Sequence, residues 1–301
     1  MHAAQLQTLL EGGAFFESPR WHDGSWWVSD FYRHAVLRVG TDGSQEVVLE
    51  VEGQPSGIGW MPDGSMLVVS MRDHRVLRRD TSGEVSVHAD LSAHCGGHLN
   101  DMVVDVQGRA WVGEFGFDLM GAGDPAAGNL MRVDPDGTHA VVATEMLFAN
   151  GSVITPDGST LIVGETAGNR YSAFTIGRDG ALTDRRVWAQ FAPPPPLGGT
   201  LAEGFALVKV APDGCCLDAE GYIWAADAVG ARCIRVAPGA EIVQEVRAPE
   251  GLGIFACMLG GADGRTLVLC CAPDFLEHNR VLAREAVLLS TQVDVPHGGL
   301  P

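Results

Sequence analysis

The sequence predicts an all-β fold, a six-bladed β-propeller with four antiparallel strands in each blade. Three observations predict it. First, a turn followed by a short apolar strand occurs six times: HDGSWWVSD (22–30), PDGSMLVVS (62–70), VQGRAWVGE (106–114), PDGSTLIVGE (156–165), AEGYIWAAD (219–227) and ADGRTLVLC (262–270). Second, the turn glycines Gly24, Gly64, Gly108, Gly158, Gly221 and Gly264 are separated by 40, 44, 50, 63 and 43 residues. Third, another turn lies between successive copies, at Asp42-Gly43, Ser82-Gly83, Asp136-Gly137, Asp179-Gly180 and Pro238-Gly239. Asp-Gly between alternating β-rich runs is a strong hairpin signal. Four strands in about 40–45 residues is the size of one propeller blade.

The elements follow in order. Each unit holds strands A to D, with tight turns at A–B and C–D. Strand C is the stretch before the second turn, such as HAVLRV, RVLRR or RYSAFTI; strand D is the stretch after it, such as QEVVLE or EVSVHA. The sixth unit has one clear turn, at Gly264, and ends soon after EAVLLSTQVDV. The N-terminal AAQLQTLL (3–10) is expected to supply its outer strand and close the ring, leaving no open sheet edge. The chain is thereby read as one domain, 1–301.

Composition narrows the function. The chain has 301 residues, 46% of them hydrophobic, and a formal net charge of −18. That charge argues against nucleic acid or an anionic membrane surface as a partner. No stretch approaches the roughly 18 uninterrupted apolar residues of a membrane span. The start, MHAAQLQTLLEGG, lacks the basic region and long apolar run of a secretory signal. The seven cysteines follow no metal-knuckle spacing. A cytoplasmic protein with reduced, mostly buried thiols is expected.

Strand direction sorts the loops between the two faces. With A–B and C–D turns on one face, the D–A and B–C connections share the other. Two long insertions fall on that second face: FGFDLMGAGDPAAGN (115–129) between strands B and C, and FAPPPPLGGTLAEGFALVK (191–209) between D and A. Loops of this length are usually functional, so a covered pocket is expected there.

Counting back seven residues from the first residue of each A–B turn pair reaches the start of strand A. The count gives Ser56, Asn100, Asn150, Asp213 and Ala256; in the first blade a count of six gives Glu17. Innermost strands line the central channel, so these positions meet at its mouth. Glu, Asn and Asp present hard oxygen donors carrying two negative charges, which suits a divalent cation, calcium foremost. Zinc, manganese, magnesium and iron(II) are the alternatives; the absence of Cys and His from the set weighs against a zinc thiolate site.

At these residues the sequence resembles the regucalcin/gluconolactonase family, also called the senescence-marker-protein and luciferin-regenerating-enzyme family. The matching stretches are FFESPRW (15–21), HLNDMVVDVQGRAWVG (98–113), FANGSVITPDGSTLIVGET (148–166) and PDGCCLDAEGYIWAAD (212–227). The resemblance implies a six-bladed propeller, a divalent metal in the channel and hydrolysis of lactones. By motif, it implies that Glu17, Asn150 and Asp213 are metal ligands. It implies that Asn100 and His98 bind substrate, and that Asp213 is the general base.

Two departures from the family pattern occur, the first mild and the second bearing on substrate. The first motif reads Glu-Ser-Pro where Glu-Gly-Pro is usual. The stretch His98-Leu99-Asn100-Asp101 stands where sugar-lactone members commonly carry Arg-x-Asn-Asp. Imidazole offers at most two donors against five for guanidinium. The nearby Phe115, Phe117, Leu119 and Met120, with Met146 and Phe148 beside Asn150, suggest an apolar lining. The expected substrate is a small lactone or ester less polar than gluconolactone, with Phe115 and Phe148 contributing to its binding.

In the mechanism these residues suggest, the metal polarises the ester carbonyl and a carboxylate accepts a proton from water. Metal contact lowers a carboxylate's basicity, so Asp213 fits both roles awkwardly, and His98 is the second candidate for proton transfer. No Gly-x-Ser-x-Gly elbow points to serine catalysis. A phosphotriesterase or other esterase on the same scaffold is the alternative within enzymes; a non-catalytic calcium-binding propeller is the alternative outside them. Glu114, Glu165 and Asp227, which close B strands, are either partners of the site or solvated strand ends.

Overall fold

The computed structural model describes residues 5–301. Twenty-four strands form six four-stranded antiparallel sheets. Blades 1 to 5 each use one continuous stretch of chain in the order A-B-C-D. The A strands are Phe16–His22, Pro55–Trp60, Leu99–Val104, Ala149–Ile154, Pro212–Leu217 and Gly253–Gly260. They contact one another in succession around the ring, blade 6 to blade 1 included.

The turns are built as the sequence suggests. All eleven turn glycines at the A–B and C–D positions have positive φ, between 69° and 94°. A residue with a Cβ is strained in that region. Burial falls from the axis outward. The B strands of blades 2 and 3, Met66–Ser70 and Ala110–Glu114, are buried throughout, whereas the D strand Gln45–Glu50 is mostly exposed. B strands are covered by neighbouring blades on both faces, so they read as continuous apolar runs rather than alternating ones. Trp111 and Trp224 lie on these strands with no exposed surface.

The ring closes through the N-terminus, but with a shifted segment. The outer strand of blade 6 is Gln7–Gly13, pairing antiparallel with Ala286–Gln292 through two register shifts. The expected segment began at residue 3; its first two residues lie outside the described part, and the strand runs on past residue 10. Apolar residues alone do not mark its end, because Glu11, Gly12 and Gly13 continue the pairing. The C-terminal stretch fastens the opposite face. Main-chain bonds join His297 to Gly264, Gly298 to Leu217 and Leu300 to Ile154, lacing blades 6, 5 and 4 together.

Both expected insertions lie where strand direction puts them. A third, residues 273–285 between strands B and C of blade 6, was not anticipated. It carries a short helix, Glu277–Arg280. Its sequence has no Asp-Gly signal to separate it from a blade shortened by the chain end. Tyr32 Oη donates to the Phe275 carbonyl at 2.5 Å, and Arg72 pairs with Glu277 at 2.6 Å. The insertion therefore reaches from blade 6 across blade 1 to blade 2. Among the described residues no helix is long and apolar enough to cross a membrane.

Candidate functional site

Each site residue follows a register position that repeats around the ring. The A-strand residue just before it pairs with the last residue of strand B. The pairs are Phe16 with Asp30, Pro55 with Ser70, Leu99 with Glu114, Ala149 with Glu165, Pro212 with Asp227 and Gly253 with Ala272. The following residues are Glu17, Ser56, Asn100, Asn150, Asp213 and Ile254. Blade 6 thus departs from the sequence count, which gave Ala256. Its A strand is eight residues long where the others have six or seven, so a fixed count from the turn stops two residues short.

Immediately after this position each sheet shifts register, between Glu17 and Arg20, Leu99 and Met102, Ala149 and Ser152, and Pro212 and Cys215. Such bulges re-aim side chains and end regular pairing. Two glycines then let neighbouring A strands approach. A Cβ on Gly151 would lie 2.4 Å from the Asp213 carbonyl oxygen, and one on Gly214 2.5 Å from the Ala256 Cβ. Blades 4, 5 and 6 could not crowd the axis this closely with larger residues.

The B-strand acids hold the approach to each site residue. Asp30 accepts from the Ala14 and Phe15 amides; Glu114 accepts from Gly96, Gly97, Gly116 and Asn129. Glu165 accepts from the Leu147 amide and pairs with Arg170 and Arg185; Asp227 accepts from the Ala211 amide and pairs with Arg232. All four carboxylates are fully buried. They are neither solvated strand ends nor groups lining the cavity: they cap the backbone that leads into strand A. These caps occur in blades 1, 3, 4 and 5, the same blades that present Glu17, Asn100, Asn150 and Asp213.

Those four side chains converge on the floor of a cavity of about 100 Å³ on the insertion-bearing face. Asn150 Nδ2 donates to Asp213 Oδ1 at 2.5 Å and to Thr166 Oγ1 at 3.0 Å; the Thr166 hydroxyl donates to the Pro212 carbonyl at 2.7 Å. Asn100 Nδ2 donates to the Ala149 carbonyl at 3.3 Å. Glu17 accepts from the Ser18 amide at 2.8 Å. Burial, with the nearby Asp213 charge, pushes the Glu17 pKa well above its usual value. Burial likewise raises that of Asp213.

Beneath them lies a buried ion pair that the sequence reading did not find. Arg20 contacts Asp101 at 2.6 Å and donates to the carbonyls of Ile58, Pro19 and Met102. Asp101 also accepts from the Ser18 hydroxyl and the Met102 amide. Both residues stood inside motifs singled out for their neighbours. Their partnership joins positions 81 apart in sequence, which no local spacing reveals.

The charge balance bears on what this floor could hold. Arg20 is paired with Asp101, and among the described residues no salt bridge reaches Glu17 or Asp213. Two carboxylates drawn together without a cation suit a divalent ion. No group of three His, Cys, Asp or Glu side chains with metal-binding spacing occurs among the described residues. The set therefore reaches three ligands only through an amide oxygen, and Asn150 supplies it if its amide turns over, with Thr166 redirecting its hydroxyl.

The walls are aromatic. Seven of the eleven phenylalanines line the cavity: Phe15, Phe31, Phe255 and Phe275 on the side of blades 1 and 6, and Phe115, Phe148 and Phe205 opposite. Leu119 and Met120 join them, while Phe117 and Met146 are packed elsewhere. The Phe115 and Phe148 centroids are 4.4 Å apart. No Arg or Lys is among the lining residues. His98 is not among them either. Its ring is tilted against Phe115 at 5.9 Å and lies 6.4 Å from His74. Burial, then the charge of Arg72, lowers its pKa. Ser56 is buried outside the cavity.

Comparison with known proteins places this arrangement. The chain is 28% identical over 171 residues to a 6-deoxy-6-sulfogluconolactonase of Pseudomonas putida, covering 57% of this chain and 53% of that one. It is 28% identical over 129 residues to a pentonolactonase of Haloferax volcanii, 42% and 38% of the two chains. A lactonase of Staphylococcus epidermidis matches at 25% over 215 residues, 68% and 60%. The matched regions thus span less than two thirds of each relative's length. Among solved structures, calcium-binding regucalcin from Agrobacterium tumefaciens superposes with a TM-score of 0.79 at 21% identity, covering 99% and 97% of the two chains. A gluconolactonase from Xanthomonas campestris does so at 0.70 and 22%, covering 99% and 90%. These two support the propeller fold. The model of the SMP-30/gluconolactonase/LRE-like region matches residues 15–272, and the chain belongs to that family.

Proposed function

We propose that the protein is a metal-dependent lactonase acting on lactones less polar than gluconolactone. One observation carries the reading: two buried, cation-free carboxylates and two amides form the floor of a cavity walled by phenylalanines. The names of the three curated relatives given above, each a lactonase, support the reaction class. The absence of any cationic side chain from the lining supports a carbon-rich substrate, since nothing there matches a guanidinium's grip on several hydroxyls.

Glu17, Asp213 and Asn150 would hold the cation, calcium foremost. When bound it supplies Lewis-acid polarisation of the ester carbonyl. Asn100 lies on the same floor and orients the substrate by hydrogen bonding. Asp213 accepts the proton of the attacking water. His98, set behind Phe115, positions that ring instead of moving the proton. The phenylalanine walls exclude bulk water and align the ring of the ester.

The test is a hydrolysis screen with added calcium, manganese, zinc or magnesium across aldonolactones, alkyl lactones, aryl esters and phosphotriesters. Alkyl lactones are expected to give the highest kcat/KM. A tenfold preference for gluconolactone would overturn the substrate assignment, and activity confined to phosphotriesters would overturn the reaction. Asp213→Ala is expected to abolish both turnover and cation binding by calorimetry. Unchanged binding would remove Asp213 from the ligand set.

A further inference from the structure

The two insertions from blade 3 and from the blade 4–5 junction meet in a second, smaller apolar recess. It is about 20 Å³ and is bounded by Phe117, Pro125, Leu147, Pro196 and Leu197. Phe205 borders both this recess and the central cavity. It is the partition between the two.

That partition is held in place. Phe205 lies on helix α1, Leu201–Ala206, whose start carries a reciprocal cap between Thr200 and Glu203. The helix rests on blade 3's insertion, since a Cβ on Gly204 would sit 3.7 Å from Pro125 Cγ. The fully buried Asn169 fastens both ends of the insertion: its Nδ2 donates to the Pro193 and Leu207 carbonyls, and its Oδ1 accepts from the Lys209 amide at 2.6 Å.

We infer that Phe205 sets the longest hydrocarbon chain the substrate carries, an inference that rests on the lactonase reading above. With the ester at the carboxylate floor, an attached alkyl chain runs along the phenylalanine walls. Each methylene buried there multiplies affinity roughly fourfold. The gain stops where the chain meets the Phe205 ring, because the apolar space beyond it is closed off. Removing the ring joins the recess to the cavity and gives the chain further apolar wall, as far as the half-exposed Leu197.

The experiment compares wild type, Phe205→Ala, Phe205→Trp and Phe205→Ala with Leu197→Asp on γ-lactones from γ-valerolactone to γ-dodecalactone. It measures kcat/KM and, in parallel, binding by calorimetry. For Phe205→Ala, the longest accepted chain is expected to lengthen by two or more carbons. The ratio of long-chain to γ-valerolactone efficiency should rise at least tenfold, matching roughly two newly buried methylenes. Phe205→Trp should shorten the profile, and Leu197→Asp should cancel the gain. Identical chain-length profiles in wild type and Phe205→Ala would overturn the inference, as would a gain that survives Leu197→Asp. If no γ-lactone is turned over while other lactones are, the alkyl-lactone reading fails by itself. Calorimetry then decides on Phe205: a shift of affinity toward longer chains supports the partition, and an unchanged series removes it.

Discussion

Blades 4 and 2 are built from the same phrase, PDGSTLIVGE in one and PDGSMLVVS in the other. Both make the same turn and a buried B strand. They differ at the end of that strand. Glu165 closes it in blade 4 and receives a backbone amide of the incoming loop; Ser70 closes it in blade 2, and its buried hydroxyl has no partner among the described residues. Blade 4 presents Asn150 to the cavity, whereas Ser56 of blade 2 stays outside. The repeat is sufficient for a blade. Presenting a site residue goes together with a carboxylate that pins the chain on its way in.

The sharpest way to break this comparison is Glu165→Gln. It would leave Arg170 and Arg185 facing a neutral amide in a buried notch, at a cost of about 3 kcal/mol. At neutral pH the melting temperature should fall by several degrees, roughly 2–4 °C per kcal/mol for a chain of this order. Calorimetric cation affinity should weaken with it, since Asn150 is set by the same loop. A fall in stability with unchanged affinity would separate the cap from the site. The pH dependence carries a definite sign. Burial works to raise the Glu165 pKa, but hydrogen bonds from Arg170 and Ser172 outweigh it and hold the pKa below its ordinary value. Its stabilisation is therefore present above the unfolded carboxyl range and lost as pH falls through the folded pKa. The gap between wild type and variant should close on acidification.

Glu114→Gln is expected to have an intermediate effect. Glu114 serves four amides and has no arginine partner among the described salt bridges. An amide can replace only part of that acceptance, so the loss is about 1–2 kcal/mol. Asn100 follows the capped segment, so KM should rise more than kcat falls. Equal changes in both would point to a general loss of structure.

Asp30→Asn should have the smallest effect, with the opposite pH sign. Burial raises the Asp30 pKa despite the amides of Phe15 and Ala14. A carboxyl whose folded pKa is raised favours the folded state at low pH and loses that contribution as pH rises through the folded value. Asparagine imitates the protonated form. The variant should match wild type in acid and gain relative stability toward alkaline pH, read by thermal melts across pH 4 to 9. A deficit that grows with pH would contradict this assignment.

Much of the architecture could be read from the chain because Asp-Gly turns are local. Gly24 through Gly264 report backbone conformation directly, and their spacing counts the blades. Glu17, Asn100, Asn150 and Asp213 were legible for the same reason, lying six residues before the turn in blade 1 and seven in blades 3, 4 and 5. The offset failed in blade 6, where strand A is longer and the register partner is Ile254. The cavity walls were only half legible. Phe115 and Phe148 lie beside motif residues, but Phe15, Phe31, Phe255 and Phe275 come together only when the ring closes. The capping roles of Glu114 and Glu165 stayed hidden because the groups they pin in the incoming loops are main-chain amides, which no side-chain pattern marks.

Ring closure also sets an order of events during synthesis. Ser290 Oγ donates to the Gln7 carbonyl at 3.4 Å, across 283 residues of chain. Blades 1 to 5 can each pair as their own stretch leaves the ribosome. The strand Gln7–Gly13 emerges before the other described strands and finds its partner last, and at 5–20 residues per second it waits roughly 15 to 60 s. Throughout that wait both of its edges can pair with other chains. The nascent protein is thus exposed to aggregation through this unpaired strand, and a chaperone acting on it would have to shield it until Ala286–Gln292 has been made.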